Sequence, residues 1–464
     1  MQANGRALWT FALTSAALFM VVLDNLVVTT ALPVIRHDLH ASLQGLEWTV
    51  NAYTLTFAVL LLTGAALGDR FGRKRLLVIG LSVFSAASAA AALAPNIEAL
   101  VAARVVQGAA GAVVMPLTLT ILSAAVPKEK RGMALGAWSG IAGLAVAIGP
   151  VVGGAIVDGI SWQWIFWLNV PIGLAIIPLA ARQLTESYGP SASLDLRGVG
   201  LASTGLFAIV WGVIRSQNVG WTGAETIVSL AVGTAIVAAF VVWELKADAP
   251  MLPMRFFRDR TFSVANTSTM LMYVGMFGSI FLLTQYWQTA HGYSPLGAGV
   301  RILPWTVAPI FVAPIAGALS QKIGSRPLLV FGLGLQAITL AWIAHVATAD
   351  VAYVDLLPAL ILGGIGMSFF YAPMANLVLS AVRPEEEGQA SGANSAFREL
   401  GGVFGVSILA SVFSTYGGYG APELFVRGFG PALYVGAALV AVAAIVSVAL
   451  PRGAAATAAA PQLA

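Results

Sequence analysis

The chain has 464 residues, of which 58% are hydrophobic and 9% are charged, and its formal net charge is +4. A soluble domain carries roughly 25% charged residues, so this composition excludes the soluble fold classes. The basic residues lie in short segments between apolar runs, which excludes nucleic acid as an expected partner. Because cysteine is absent and the four histidines show no ligand spacing, we expect no metal site and no cofactor.

Apolar runs recur along the whole chain, and each is long enough to cross ~30 Å of hydrocarbon. They predict an all-α integral membrane protein with about fourteen transmembrane helices. In chain order these predicted spans, numbered 1 to 14, cover residues 8–35, 48–67, 76–94, 98–126, 133–156, 163–181, 198–214, 226–243, 262–286, 298–319, 328–347, 354–382, 389–413 and 429–450.

The positive charges predict the orientation of these spans. If both termini face the cytoplasm, the inner loops and termini hold 18 of the 24 Lys and Arg residues. The outer side then holds four, namely Arg36, Arg215, Arg301 and Arg427. This distribution follows the positive-inside rule, so we expect both termini to be cytoplasmic.

An internal repeat divides the chain. The segment 123–132 recurs at 380–388, and Pro116 maps onto Pro373 at the same offset of 257 residues. The repeat predicts two pseudo-symmetric six-helix bundles with two inserted helices, spans 7 and 8, between them. Parallel halves of this kind are a transporter architecture, with the substrate site between the halves near the midplane. The expected domains are an N-terminal six-helix bundle at 1–181, the inserted helices with their flanking inner loops at 182–260, and a C-terminal six-helix bundle with its tail at 261–464.

A polar motif connects spans 2 and 3, and we refer to five of its residues as the gate motif. They are Asp69, Arg70, Gly72, Arg73 and Lys74. The positive-inside rule explains the bases but not Asp69, since acidic residues contribute little to orientation. We hypothesise that Asp69 caps a helix N-terminus in the second half, that of span 13, and so closes the inner side.

Span 5 contains a second motif, the span 5 motif, formed by Gly149, Pro150, Gly153 and Gly154. Proline frees a backbone carbonyl, and glycines thin one face of a helix so that a neighbouring helix can approach. The motif therefore favours a hinge or a seal over a binding pocket. The alternative is that Gly and Pro are simply frequent in membrane helices.

These motifs, in this order and spacing, resemble the major facilitator superfamily, specifically its fourteen-helix drug/proton antiporter branch. Segments 23–33, 104–108 and 162–173 also carry the resemblance, which covers nearly the whole chain. It implies a proton-coupled antiporter, not an enzyme, that exports small amphipathic compounds such as drugs, dyes and antibiotics by alternating access. The expected setting is the bacterial inner (plasma) membrane, and the expected partners are protons, the substrate and the lipid bilayer, with the protein as a monomer.

Ionised side chains inside the membrane call for an explanation, because each costs about 2.5 to 3.5 kcal/mol near the bilayer centre. Asp24 lies roughly 20 Å from the inner face and Arg104 roughly 9 Å from the outer face, so the two reach a similar depth. We expect Asp24, Arg104 and Glu399 to take part in proton coupling. For Asp24 the alternative is a satisfied polar contact or an interfacial residue. For Glu399 the alternative is a buried ion pair that stabilises the second half, although Glu399 and its neighbour Arg398 need not pair with each other.

Polar and aromatic residues of the spans are candidates for the lining of the substrate cavity. They are Asn25, Tyr53, Gln107, Met115, Gln285, Tyr286, Gln288, Tyr371, Asn376 and Asn394.

Two other functions stay open at this point. One is the export or symport of one specific metabolite. The other is a membrane-bound enzyme acting on lipid or isoprenoid substrates, for which residues 385–387, all glutamate, are the candidate cluster. Acidic residues also favour a helix N-terminus, and these three precede span 13.

Overall fold

The computed structural model describes residues 2–189, 195–248, 250–383 and 386–451, and within them the side chains of a few helical segments, such as 128–133, are not described. Glu385 and the tail from residue 452 lie outside the described residues. The helices are α1 (Gln2–Asp38), α2 (Leu43–Phe71), α3 (Arg73–Ala92), α4 (Ile97–Ala125), α5 (Lys128–Gly159), α6 (Trp164–Trp167), α7 (Asn169–Gln183), α8 (Leu196–Val219), α9 (Ala224–Glu244), α10 (Arg260–Thr289), α11 (Pro295–Ile323), α12 (Ser325–Val346), α13 (Tyr353–Ser380), α14 (Glu387–Tyr416) and α15 (Pro422–Ser447).

The helices confirm the all-α membrane class. Within the described ranges, thirteen helices are long and apolar enough to cross a membrane. Helix α2 makes a fourteenth if its two parts, Leu43–Leu61 and Thr63–Phe71, which meet at 53°, are one span. One short 3-10 turn, Met254–Arg258, precedes α10.

The structure does not form predicted span 6 as one continuous helix, because the chain is interrupted at Leu168 between α6 and α7. Pro171 follows in the first turn of α7. A proline has no N–H to donate to the carbonyl four residues earlier, here that of Trp167. The interruption therefore lies one turn before the proline, and α7 begins with Asn169.

The chain separates into two compact units, and each is described by itself. Unit 1 comprises the residues up to 252 together with 283–303, and unit 2 comprises 253–282 together with 304–464. In unit 1, α4 packs on α2 and α3, α1 packs on α5, and α8 packs on α9. In unit 2, α12 packs on α13 and α15. The three domain ranges expected from the repeat stay a prediction.

Small residues allow close helix contacts in unit 1. A Cβ atom added to Gly108 in α4 would lie 2.3 Å from the carbonyl oxygen of Tyr53 in α2. That distance is too short for any real side chain, so only glycine permits this approach. The contact brings the middle of α4 against the middle of α2 and positions the polar residues described next.

Candidate functional site

Asp24 and Arg104 form an ion pair inside unit 1. Arg104 Nη1 donates to Asp24 Oδ2 at 2.5 Å, and both side chains are 0% exposed. Arg104 Nε donates to the Thr49 carbonyl oxygen at 3.2 Å. The guanidinium carbon also lies 4.2 Å from the centroid of the Tyr53 ring. The two residues that the sequence placed at a similar depth are thus in direct contact, and α1, α2 and α4 meet at this pair.

Amide and hydroxyl groups complete a network around the Asp24 carboxylate. Asp24 Oδ1 accepts from Asn169 Nδ2 at 2.6 Å and from Gln107 Nε2 at 3.2 Å. Ser88 Oγ accepts from Gln107 Nε2 at 2.7 Å and from Asn169 Nδ2 at 3.3 Å. All of these side chains are buried. Every Asp24 oxygen is therefore hydrogen-bonded, and α3 and α7 are tied to the same carboxylate.

A second ion pair, between Arg398 and Glu399, lies on α14 in unit 2. Arg398 donates to Glu399 Oε1 through Nε at 3.1 Å and through Nη2 at 3.0 Å. Sequence neighbours on a helix point in different directions, yet these long side chains bend towards each other. The Arg398 side chain is 29% exposed and that of Glu399 is 12% exposed. Unlike the pair in unit 1, this carboxylate retains accessible surface.

Two tyrosines lie beside the Arg398–Glu399 pair. The hydroxyl groups of Tyr273 in α10 and Tyr371 in α13 are 2.6 Å apart, within hydrogen-bonding distance. The guanidinium carbon of Arg398 lies 6.0 Å from the centroid of the Tyr273 ring. Three helices of unit 2 therefore contribute to one polar and aromatic cluster. Tyr371 is one of the candidate cavity residues, whereas Tyr273 is not among them.

Within unit 1, the acid of the gate motif has local partners. Asp69 Oδ1 accepts from Arg73 Nε at 2.7 Å, and the Asp69 carbonyl oxygen accepts from the Gly189 N–H at 3.1 Å. Arg70 is exposed. The hypothesis that Asp69 caps span 13 concerns both units and stays a prediction.

A different acid caps the helix next to the gate motif. Glu186 accepts from the backbone N–H groups of Lys74 at 2.9 Å and Arg75 at 3.2 Å, in the first turn of α3. Gly72, between α2 and α3, has φ +103°, and a Cβ atom there would lie 2.9 Å from Glu186 Cδ. Only glycine suits both this backbone conformation and this contact. Glu186 was not predicted as a partner of the gate motif, because it follows span 6 and is far in sequence from the loop between α2 and α3.

The span 5 motif is packed against other helices of unit 1. A Cβ atom on Gly149 would lie 2.9 Å from Leu26 Cβ in α1. One on Gly153 would lie 2.9 Å from the Val27 carbonyl oxygen, also in α1. One on Gly154 would lie 2.4 Å from the carbonyl oxygen of Pro295, the first residue of α11. These contacts fit a packed seam better than a binding pocket.

The remaining candidate cavity residues fall into several environments. In unit 1, Asn25 and Met115 are half-buried, and Gln285 and Tyr286 are fully buried. Gln288 Nε2 donates to the Thr30 carbonyl oxygen at 2.9 Å. In unit 2, Asn394 Nδ2 donates to Asn266 Oδ1 and Thr269 Oγ1, each at 3.1 Å, whereas Asn376 is exposed.

Comparison with known proteins gives one family. The model of the Major Facilitator Superfamily matches residues 14–245 and 265–462. The chain is 34% identical to the tetracenomycin C resistance and export protein of Streptomyces glaucescens, over 89% of this chain and 77% of that protein. It is 35% identical to the cephamycin export protein CmcT of Amycolatopsis lactamdurans, over 92% and 89% of the two chains. It is 32% identical to the multidrug export protein EmrB of Haemophilus influenzae, over 88% and 80%.

Solved structures agree on the fold. A POT family transporter in complex with a thioalcohol-conjugated peptide superposes with a TM-score of 0.70 at 14% identity, covering 94% of each chain. A D-xylose-proton symporter superposes with a TM-score of 0.67 at 13% identity, covering 95% of this chain and 97% of that one. At these identities the likeness concerns the fold alone.

Proposed function

Because the chain belongs to the major facilitator superfamily of membrane transporters, we propose that it is a proton-coupled antiporter that exports small amphipathic compounds by alternating access. Drugs, dyes and antibiotics are the proposed substrate class. The names of its relatives support export of antibiotic-like compounds, since they include a tetracenomycin C exporter and a multidrug exporter. The proposed setting is the bacterial inner membrane, with both termini in the cytoplasm and the protein as a monomer.

The observation that carries the proposal is the partly exposed carboxylate of Glu399 beside Arg398 on α14. Its side chain is 12% exposed, whereas that of Asp24 is 0% exposed. An ionisable group within a transmembrane segment is costly, and it is normally retained for ion or substrate transfer. In the proposed cycle, ionised Glu399 pairs with Arg398 or with a cationic substrate. Proton binding removes the negative charge and releases that substrate.

Asp24 is the second proposed coupling group, and Arg104 is its partner. Because Arg104, Gln107 and Asn169 all donate to the Asp24 carboxylate, it exchanges a proton only when this network opens. In the proposed cycle, Asp24 exchanges its proton in a later step than Glu399. Proton entry is driven by the membrane potential, which supplies about 2.3 kcal/mol per charge for each 100 mV.

The two glycine-containing motifs are the proposed gates. The close packing of the span 5 motif on α1 and α11 supports its role as a seal. The exposed and half-buried charges of the gate motif support its role as an inner latch that can exchange partners.

Proton antiport is tested with the purified protein in liposomes that contain a pH-sensitive dye. A permanently charged fluorescent cation is added outside, so that passive partitioning of a weak base does not contribute. With an acidic lumen, we expect the cation to accumulate inside while the lumen becomes less acidic, and a protonophore should abolish the accumulation. Movement of the cation in the same direction as protons would indicate symport, and movement without protons would indicate facilitated diffusion. Either result would reject the proposal.

A narrower function is the second candidate, namely export or symport of one specific metabolite. It is favoured by relatives that are named for single compounds, such as the cephamycin export protein. A panel of cationic dyes and antibiotics in the same liposomes separates the two. Transport of one compound from the panel supports the narrow function, and transport of several unrelated amphipathic compounds supports the broad one.

A further inference from the structure

The two inserted helices, α8 and α9, meet at the acidic side chain of Asp195, which belongs neither to the proposed gates nor to the proposed coupling groups. Asp195 precedes α8 and caps it, because its Oδ1 accepts from the Gly198 N–H at 2.8 Å. The indole Nε1 of Trp243 in α9 lies 2.8 Å from Asp195 Oδ1 and 3.0 Å from Oδ2. Asp195 therefore connects the first turn of α8 to Trp243 near the end of α9.

Glu244, the last residue of α9, points at the same place. It is 3% exposed, and its Oε2 accepts from the Leu252 N–H at 2.8 Å. Its Oε1 is buried and has no hydrogen-bond partner in the described part of the chain. A Cβ atom on Gly198 would lie 2.4 Å from Asp195 Oδ2 and 2.6 Å from Glu244 Oε1. The two oxygens are therefore at most 5.0 Å apart.

Two ionised carboxylates this close, one of them buried, repel each other. The charged group that faces Glu244 is Asp195. Arg197 on α8 is exposed, with its guanidinium carbon 5.1 Å from the centroid of the Trp243 ring. Lys246 and Asp248, which follow α9, are also exposed. The segment after α9 is contacted from α2 by Thr63, an uncharged residue, which lies against Met251. A proton on Glu244 Oε1 removes the repulsion and supplies a donor to Asp195 Oδ2.

We propose that Asp195 and Glu244 form a proton-binding carboxyl pair that shares one proton at the ends of α8 and α9 predicted to face the cytoplasm. The shared proton joins the start of α8 to the end of α9. Loss of that proton leaves two like charges at most 5.0 Å apart and loosens this end of the helix pair. The site is separate from Asp24 and Glu399, so it adds a proton-dependent function to the inserted helices that does not rely on any transported substrate.

Infrared spectroscopy of the full-length protein in detergent tests the pair directly, without a transport assay. The carboxylic-acid C=O band is recorded at several pH values for the wild type and for Glu244→Gln. This variant keeps the side-chain shape and can still donate to Asp195. We expect the wild type to show one additional protonated carboxyl, which disappears as the pH is raised and is absent from Glu244→Gln. Asp248→Asn, at an exposed acid four residues further along, should leave the band unchanged.

A second variant, Asp195→Asn, removes the like charge and keeps an N-cap residue of similar quality. We expect the Glu244 band to disappear at a lower pH than in the wild type, because the neighbouring negative charge is gone. If wild type and Glu244→Gln give identical spectra at every pH, Glu244 holds no proton and the proposal fails. It also fails if the band persists at all pH values, or if Asp195→Asn leaves its pH dependence unchanged.

Discussion

The Asp24–Arg104 pair in unit 1 and the Arg398–Glu399 pair in unit 2 combine the same chemical groups in different surroundings. Asp24 and Arg104 are 0% exposed and come from two helices, with amide groups from α4 and α7 completing the network. Arg398 and Glu399 are neighbours on one helix, and their side chains are 29% and 12% exposed.

Accessibility, more than charge, distinguishes the roles of such pairs in a transport cycle, because a proton must reach the group that carries it. A pair enclosed by several helices can change its protonation only if those helices separate. A pair with accessible surface on one helix can do so without any rearrangement. We therefore propose that the first pair serves mainly structural integrity and the second mainly proton exchange.

The largest effect is expected from Arg104→Gln, which leaves the Asp24 charge buried without its cation. Breaking a buried ion pair costs about 3 to 5 kcal/mol. We expect most of the variant to be lost or aggregated after extraction, as measured by size-exclusion chromatography after stepwise heating. The double variant Asp24→Asn/Arg104→Gln has no such charge and should recover most of the stability. A single variant as stable as the wild type would show that the pair is not structural.

Glu399→Gln should change transport by at least about tenfold while leaving the fold intact, because the side chain is accessible and similar in shape. Proton-driven accumulation of substrate should fall, whereas exchange of labelled for unlabelled substrate without a gradient should continue. Glu423→Gln, at an exposed acid in unit 2, is the matched control. Equal loss of accumulation and exchange would argue for a substrate-binding role instead.

Asp69→Asn tests a third pair, whose carboxylate is more exposed than that of Glu399, since the side chains of Asp69 and Arg73 are 23% and 15% exposed. We expect transport to slow several-fold at unchanged thermal stability, because surface ion pairs contribute at most about 1 kcal/mol. Initial rates of substrate efflux and the melting temperature are measured together. If the rates match those of the wild type, Asp69 has no part in gating.

The smallest effect is expected from Ser88→Ala, which removes the hydroxyl that accepts from Gln107 and Asn169. The loss of a buried hydrogen-bond partner costs about 1 to 3 kcal/mol, and here each amide keeps its bond to Asp24. We expect a small fall in melting temperature at the lower end of that range. Ser82→Ala, at an exposed position of the same helix, should have no effect. A fall as large as that of Arg104→Gln would mean that the hydroxyl, not the ion pair, organises the network.

The helices were largely predictable because apolar runs and helix length are set by the thickness of the bilayer. The contact between Asp24 and Arg104 was foreseeable from matched depth. Ser88 and Asn169 were not selected, because a hydroxyl or amide in an apolar run is common and carries no charge that demands a partner. The pairing of Arg398 with Glu399 depends on side-chain rotamers, which the sequence does not specify.

The Glu186 cap has a consequence for how the protein is made. The cap joins Glu186 to the N–H of Lys74, 112 residues earlier in the chain. Ribosomes add about 5 to 20 residues per second, so this acid emerges roughly 6 to 22 s after the loop that it caps. During that interval the first turn of α3 lacks its final partner. The loop between α2 and α3 therefore reaches its mature form only after the sixth span has been synthesised.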